Sequence, residues 1–273
     1  TSKIMVVTIL GASGFVGSNL CKSLEDKYKI KKINLRNIDF LLKEQELINL
    51  LTNEFKKSKY IINCCASLKP KSNQDFFVNS KLPIIIQKTL SKMKNKTHFI
   101  HLSTLNVYLD QRTDDYTLSK KYGEKKLIKK YTSIIRLPLI INDIKKSQST
   151  GNLNTLNNYL DTKFLPIYPM LYPGHIYQPI KIQDLNLFFR KFLTKKKKFF
   201  IYNLVGKNKL TLWDMYEMIA RKKNKKIIKI NTKFLNFTKK ILGKAKIIRN
   251  NDFLSQIFYI DQSKLKKIKL IKI

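Results

Sequence analysis

Cysteine is nearly missing. Cys21, Cys64 and Cys65 are the whole complement, and none of their spacings suits a disulfide framework or a metal site, so a reducing compartment, the cytoplasm, is the expected setting and no metal is expected. Long apolar runs are missing as well. Nothing approaches the roughly 18 to 20 residues that a bilayer-spanning helix requires, and the chain enters a strand pattern at once, so neither a membrane span nor a signal peptide is expected. Acidic residues are few: 18 Asp and Glu stand against 55 Lys and Arg, a formal net charge of +37. Arginine is scarce too, supplying only six of those 55 bases. Sequence-specific readers of nucleic acid lean on the planar, bidentate guanidinium, whereas lysine spread among isoleucine and asparagine reads as a compositional bias of solvated charge. The basic clusters at 195–198, 221–226 and 264–272 fall at expected helix ends and connections. Nonspecific attachment to polyanions at low salt is expected; a dedicated nucleic-acid partner is not.

Glycine is the most telling of the scarce residues, because three of the eight fall within seven positions. Gly11-Ala12-Ser13-Gly14-Phe15-Val16-Gly17 follows the apolar run 4–10 and precedes an amphipathic segment reaching about residue 26. That is strand, turn, helix. A helix starting at such a turn aims unpaired N–H groups and the positive end of its dipole above the strand, where a diphosphate can approach the glycine backbone. The spacing is G-x-x-G-x-x-G, and the flanking strand and helix supply the context that the bare pattern needs.

With 273 residues and 43% hydrophobic composition, the chain can bury a large core. Short apolar runs at 4–10, 30–35, 60–64, 98–102 and 133–137 alternate with helical patterns at 14–26, 43–57, 75–93 and 116–130. This alternation is expected to give an α/β fold, a parallel sheet with helices on both faces. After Pro138 the texture changes. Residues 142–173, rich in asparagine, threonine and proline, are expected to be a loop with one short helix; strands are expected at 176–182 and 199–205, and helices at 212–222 and 233–242.

Tyr116 and Lys120 lie four apart on an expected helix and so project from one face. An ammonium beside a phenol favours the phenolate, drawing the tyrosine from about 10 toward neutrality, where it can exchange a proton. Upstream, the fourth strand ends in His101-Leu102-Ser103-Thr104, which sets a hydroxyl at the carboxyl edge of the sheet. Open α/β sheets bind their ligands at that edge.

Glycine turn, strand-end hydroxyl and Tyr/Lys helix, in that order, resemble the extended short-chain dehydrogenase/reductase family, also described as NAD-dependent epimerases and dehydratases, and within it the nucleotide-sugar 4-epimerases and 4-keto-sugar reductases. The resemblance covers nearly the whole chain. Asn63-Cys64-Cys65-Ala66 is similar to the family's third-strand ending, Ala66-Ser67-Leu68-Lys69 to the cofactor-facing turn of sugar 4-epimerases, and Phe77-Val78-Asn79 to its helix signature. Ile135-Arg136-Leu137-Pro138 resembles the fifth strand, and Pro179-Ile180-Lys181-Ile182-Gln183-Asp184-Leu185 the strand-into-helix step of the substrate lobe. Arg249-Asn250-Asn251-Asp252, followed by Asp261-Gln262-Ser263-Lys264, is similar to a pattern whose arginine grips the substrate diphosphate.

The resemblance implies a Rossmann-like doubly wound sheet over residues 1–141, to which strands from 176–205 return, and a smaller substrate-binding lobe drawn mainly from 142–273. It implies NAD or NADP as cofactor and hydride transfer at one carbinol, C4, of a nucleotide-sugar substrate. Tyr116 would move the hydroxyl proton, Thr104 would hydrogen-bond the same oxygen, and Lys120 would hold the nicotinamide ribose and lower the pKa of Tyr116. Gly11, Gly14, Phe15, Val16, Gly17, Asp39, Phe40, Ala66 and Lys69 would line the cofactor, and Arg249 the substrate diphosphate. A homodimer through helices 75–93 and 116–130 is a further implication.

Other residues trim this set. The second strand ends in Asn34-Leu35-Arg36-Asn37, without the carboxylate that would favour NAD, and Arg36 suits a 2′-phosphate, so NADP is favoured with NAD left open. Family dehydratases carry Asp-Glu after the threonine, where this chain has Leu105-Asn106; dehydration is disfavoured, and keto-sugar reduction and 4-epimerisation both remain. Only eleven residues separate Thr104 from Tyr116, about half the usual number, and Tyr177 stands where 4-epimerases often have an arginine. The alternatives are a non-catalytic nucleotide-binding structural or assembly subunit and a redox-sensing regulator. Atypical relatives of the structural kind lose the tyrosine or the hydroxyl; both are present here.

Overall fold

The structure, a computed structural model, describes residues 5–34, 43–68, 70–93, 96–109, 113–127, 131–142, 167–172, 176–194, 200–231 and 268–273. The first half alternates strand and helix: β1 (Val6–Leu10), α1 (Phe15–Leu24), β2 (Lys29–Ile33), α2 (Glu44–Phe55), β3 (Ser58–Asn63), α3 (Asn73–Lys92), β4 (His98–Thr104), a 3₁₀ turn (Leu105–Tyr108), α4 (Asp115–Lys125) and β5 (Thr132–Leu137). Together with β10 (Phe200–Val205) and β13 (Ile271–Lys272) the strands form a seven-stranded sheet, ordered β13-β10-β5-β4-β3-β1-β2, and every pairing is parallel. The α/β, doubly wound expectation holds.

Two apolar layers sandwich the sheet because alternate strand residues face opposite ways. Ile62 and Ile100 join Leu20 and Leu24 of α1 on one face; Ile61 and Phe99 join Leu51 and Phe55 of α2 and Leu82 of α3 on the other. In α1 the buried residues are Gly17, Leu20, Cys21 and Leu24, the spacing of a helix stripe. At the outer edge, β2 reads Lys-Ile-Lys-Lys-Ile, and its charges discourage pairing with another sheet. Helix α3 continues through Pro83, which has no N–H for the Asn79 carbonyl. There α4 comes closest: a Cβ on Gly123 would lie 2.7 Å from the Asn79 oxygen, so the helices meet across a glycine.

Beyond β5 the chain makes short pairs: β6 (Ile140–Ile141) with β9 (Ile180–Lys181), β8 (Ile176–Tyr177) with β11 (Leu210–Thr211), and β7 (Ile167–Tyr172) with β12 (Lys226–Asn231). Helix α5 (Ile182–Phe192) packs on the α1 face through Leu185 and Phe189. Helix α6 (Leu212–Lys222), opened by a Thr211/Asp214 capping box, builds a separate small core of Tyr168, Met170, Trp213 and Tyr216. Here the sequence expectations need correction. Residues 167–172, expected to be loop, form β7, and β12 was not expected at all. The expected strand at 176–182 divides into two-residue β8 and β9, with Ile182 already helical. Two residues carry no readable period, and prolines at 169 and 173 hide β7. The expected helix at 233–242 lies outside the described residues. No helix among the described residues is long and apolar enough to cross a membrane.

Candidate active site

Strand order reverses between β1 and β3, and the glycine turn lies at that switch point. Gly11 N–H donates to Ile33 at 3.3 Å and Cys64 N–H to Leu10 at 3.0 Å, so three strand ends are laced together beneath the turn. Gly11 has φ +75°, open to glycine at little cost, and a Cβ there would stand 3.0 Å from both N and Sγ of Cys65. At Gly17 a Cβ would be 2.2 Å from the Gly11 oxygen. Absence of that side chain lets α1 press its first turn onto the loop. Gly14 is the N-cap and offers no side-chain cap, so the first-turn N–H groups around Phe15, Val16 and Gly17 stay available to an anion.

The end of β3 is fixed by asparagines. Asn63 Oδ1 accepts from Cys65 N–H at 3.1 Å. Fully buried Asn79 on α3 donates to the Ser67 carbonyl at 2.8 Å and accepts from Ser67 N–H at 3.1 Å. Ala66 lies exposed between these clamps. Neither clamp was read from the sequence as such; the signal was available in Asn79, a polar residue on the buried stripe of α3.

Strand β4 ends at Thr104, as expected, and Ser103 and Thr104 continue the ladder opposite Arg136 and Leu137 past the apolar run at 98–102. Thr104 is buried, and its Oγ1 accepts from Asn106 N–H at 3.2 Å, capping the 3₁₀ turn while its own O–H remains to donate. The Ser103 hydroxyl and His101 Nε2 are buried without a protein partner. Asn63 Nδ2 donates to His101 Nδ1 at 3.3 Å, which puts the imidazole proton on Nε2. Burial, aided by the nearby Lys120 charge, holds His101 neutral, well below its usual value.

Helix α4 is started by Asp114, whose carboxylate accepts from Thr117 N–H at 3.0 Å and Thr117 hydroxyl at 2.8 Å. Tyr116 is therefore in the first turn and half-buried. Lys120, 1% exposed, reaches under the strand ends: Nζ donates to Leu102 carbonyl at 3.1 Å and Cys65 carbonyl at 3.4 Å. An ammonium has three N–H groups, so one has no partner among the described residues. Burial pushes Lys120 from its ordinary 10.5 down to about 8, opposed by Cys65, Glu124 and Cys64. Burial likewise pushes both thiols up, Cys65 to about 12, so they stay protonated.

The structure thus gathers the glycine turn, Ala66, Thr104, Tyr116 and Lys120 along one sheet edge, with Lys120 tied to the ends of β3 and β4 together. Arg36, Asp39, Phe40, Lys69 and Arg249 lie outside the described residues. Among the described residues, no cluster of His, Cys, Asp and Glu could hold a metal ion.

A doubly wound sheet with a glycine turn at its switch point defines a protein of the dinucleotide-binding α/β class. Residues 7–131 match the model of the NAD dependent epimerase/dehydratase family. No curated protein matches the sequence. Among solved structures, dTDP-4-dehydrorhamnose reductase from Bacillus anthracis, in complex with NADP, is 17% identical with a TM-score of 0.65 over 85% of each chain. UDP-glucuronic acid 4-epimerase from Bacillus cereus, in complex with NAD, is 18% identical with a TM-score of 0.62, over 83% of this chain and 86% of that one. The Bordetella bronchiseptica enzyme WbmG, in complex with NAD and UDP, is 16% identical with a TM-score of 0.64, over 84% and 82%. At these identities the likeness is one of fold.

Proposed function

We propose that the chain is an NAD(P)-dependent oxidoreductase or epimerase acting at one carbinol, C4, of a nucleotide-activated sugar. The observation that carries the reading is Lys120: a fully buried ammonium, held by two strand-end carbonyls with an N–H to spare, one turn along α4 from Tyr116. The residues present fit a dinucleotide. Uncapped N–H groups at α1 suit a diphosphate, and the missing side chain at Gly17 leaves the turn pressed close enough to present them. Arg36, in place of a carboxylate, favours a 2′-phosphate and so NADP, with NAD the alternative; Asp39, Phe40, Ala66 and Lys69 complete the cofactor contacts.

A nicotinamide bound at this edge supplies or accepts the hydride. Lys120 directs its remaining N–H at a ribose hydroxyl, and its charge favours the phenolate of Tyr116. Tyr116 takes the proton from the sugar hydroxyl during oxidation, or gives it to the oxygen of the keto group during reduction. Thr104 donates its O–H to the same oxygen, steadying the charge that develops there. Arg249 pairs with the substrate diphosphate. Leu105 and Asn106 offer neither acid nor base beside Thr104, so loss of water is not expected. Residues 1–141 with the returning β10 carry the cofactor, and 142–273 mainly the sugar nucleotide. Exposed Leu118 and Tyr122 on α4 and Phe76 on α3 support a homodimer through those helices.

Tyr116→Phe decides the matter. With NADPH and 4-keto nucleotide sugars, or oxidised NADP or NAD and 4-hydroxy nucleotide sugars, the variant is expected to lose turnover by about 10²-fold or more, the general acid–base contribution, while NADPH binding stays within a few-fold of the unsubstituted chain. Undiminished turnover in the variant overturns the mechanism; binding of NADPH without turnover of any sugar by either protein favours the structural-subunit alternative.

A further inference from the structure

Glu124 has no part in the chemistry above, yet it is among the best-held charges in the chain. It is only 6% exposed, and its carboxylate accepts from Arg136 Nε at 3.0 and 3.1 Å and from Nη2 at 2.5 Å. Arg136 lies on β5, in register with Ser103 on β4 and Asn203 on β10. Its guanidinium sits 4.5 Å from the ring centre of Tyr108, at the end of the 3₁₀ turn that follows Thr104. Tyr108 donates its hydroxyl to Asn203 Oδ1 at 3.1 Å, and Asn203 donates in turn to the Lys269 carbonyl at 3.2 Å. One guanidinium therefore joins the helix carrying Tyr116 and Lys120 to the segment carrying Thr104. Tyr116, Lys120 and Glu124 recur at intervals of four along α4 and share one stripe.

We propose that Glu124 and Arg136 are a positioning pair for Lys120: the clamped carboxylate keeps the buried amine in its ammonium form, and the Arg136–Tyr108 contact fixes the 3₁₀ turn that follows Thr104. This rests on the reading of Tyr116 and Lys120 as the working residues. The direct partners of Lys120 are neutral carbonyls, which do not balance a buried charge. The ionisable groups acting on it are Cys64 and Cys65 after β3, His101 on β4 and Glu124 on its own helix. The thiols are raised and protonated at neutral pH and His101 is uncharged, so among these groups Glu124 alone supplies negative charge. Arg136 offsets part of that charge while holding it in place. Opposite consequences follow. Loss of the Glu124 charge shifts Lys120 toward the free amine; loss of the Arg136 charge shifts it toward the ammonium.

The test uses the full chain without cofactor. Urea unfolding is followed from pH 6.5 to 11 in pairs with and without Lys120→Met, so that each difference isolates the titration of Lys120. Glu124→Gln is expected to lower the onset by about one pH unit and Arg136→Gln to raise it by a similar amount, the scale of one charge at short range in a partly screened interior. Tyr108→Phe, which keeps the ring but not the hydroxyl, leaves it in place. If Arg136→Gln does not fold, Glu124→Gln/Arg136→Met, with neither charge, is expected to bring the onset back toward that of the unsubstituted chain, and an onset as low as in Glu124→Gln alone overturns the role given to Arg136. An onset unchanged in Glu124→Gln, or moved the same way by both single changes, overturns the proposal. The outcome is separable from the fate of the enzymatic reading: expected shifts with no sugar turnover leave the pair standing and remove the reaction, whereas turnover lost in Tyr116→Phe with an immobile onset does the reverse.

Discussion

Gly17→Ala is the sharpest single perturbation of the cofactor end. The added Cβ would be 2.2 Å from the Gly11 oxygen, 2.8 Å from the Gly11 carbonyl carbon and 3.0 Å from Ala12 Cα. These are backbone atoms, and non-bonded carbon contacts are comfortable near 3.5 to 4 Å. Helix α1 would have to retreat from the loop by more than about 1 Å. Overpacking of this kind costs about 1–3 kcal/mol, against which alanine in a helix returns about 0.5–1 kcal/mol, leaving a net loss of up to about 2.5 kcal/mol. The functional loss should be larger in proportion, because the first-turn N–H groups of α1 move with the helix away from the diphosphate. A tenfold or greater rise in the NADPH Kd is expected, equivalent to about 1.4 kcal/mol. Gly14→Ala provides the contrast. Its Cβ would meet the Gly11 oxygen at 3.3 Å, and its φ of −77° and ψ of 167° suit any residue. Stability should fall by under about 1 kcal/mol and affinity by no more than a few-fold. Urea unfolding and a fluorescence titration with NADPH measure both quantities. Gly17→Ala binding and folding like the unsubstituted chain, or Gly14→Ala proving the worse of the two, would refute the close-approach reasoning.

Two further outcomes follow from buried polar groups. Lys120 falls from 10.5 to about 8 in the fold, so between those values the unfolded chain holds more protons and folding stability rises with pH. The penalty is fully present below about pH 8 and relieved toward 10.5, so urea unfolding of the unsubstituted chain should gain about 3 kcal/mol over that window relative to Lys120→Met; a pH-independent difference would show that the amine is not held as described. Asn79→Leu removes both side-chain bonds to Ser67 and leaves its N–H and carbonyl without those partners, for an expected loss of about 1–3 kcal/mol in the same unfolding assay. Faster amide exchange at Ser67 should accompany it, and unchanged exchange would argue against the clamp.

The sheet was legible because each of its central strands is long enough to show an apolar run and is followed by a helix with a clear period. The glycine turn was legible for the same reason: it joins two such elements. What failed to show is short or depends on distant partners. β6, β11 and β13 are two residues each, and only their partners make them strands; β8 and β9, equally short, were legible only as one undivided strand. Thr104 was read as a strand-end hydroxyl and is the last residue of β4; the pairing that holds Ser103 and Thr104 there comes from β5, more than thirty positions away. Glu124 carries no mark of its own in the sequence, and Arg136 is read there only as part of the fifth strand. Their meeting is created by α4 packing over β5, and no local pattern announces it.

Lys120 separates a site from a scaffold. A chain selected only to fold gains little from an ammonium buried to 1% exposure against two carbonyls, because desolvation of the charge outweighs two neutral hydrogen bonds and an apolar residue of similar volume would fill the space. Further polar groups lie buried on β4, the His101 Nε2–H and the Ser103 hydroxyl, both without a partner among the described residues. An unsatisfied hydroxyl next to the carboxyl end of a parallel strand, beside a glycine turn whose helix is left uncapped, is the arrangement expected where a ligand, rather than the protein, completes the hydrogen bonding. The stability sacrificed at Lys120 is therefore the measure of what binding must return. A dinucleotide that accepts its third N–H should stabilise the fold most strongly below about pH 8, where the ammonium is fully formed.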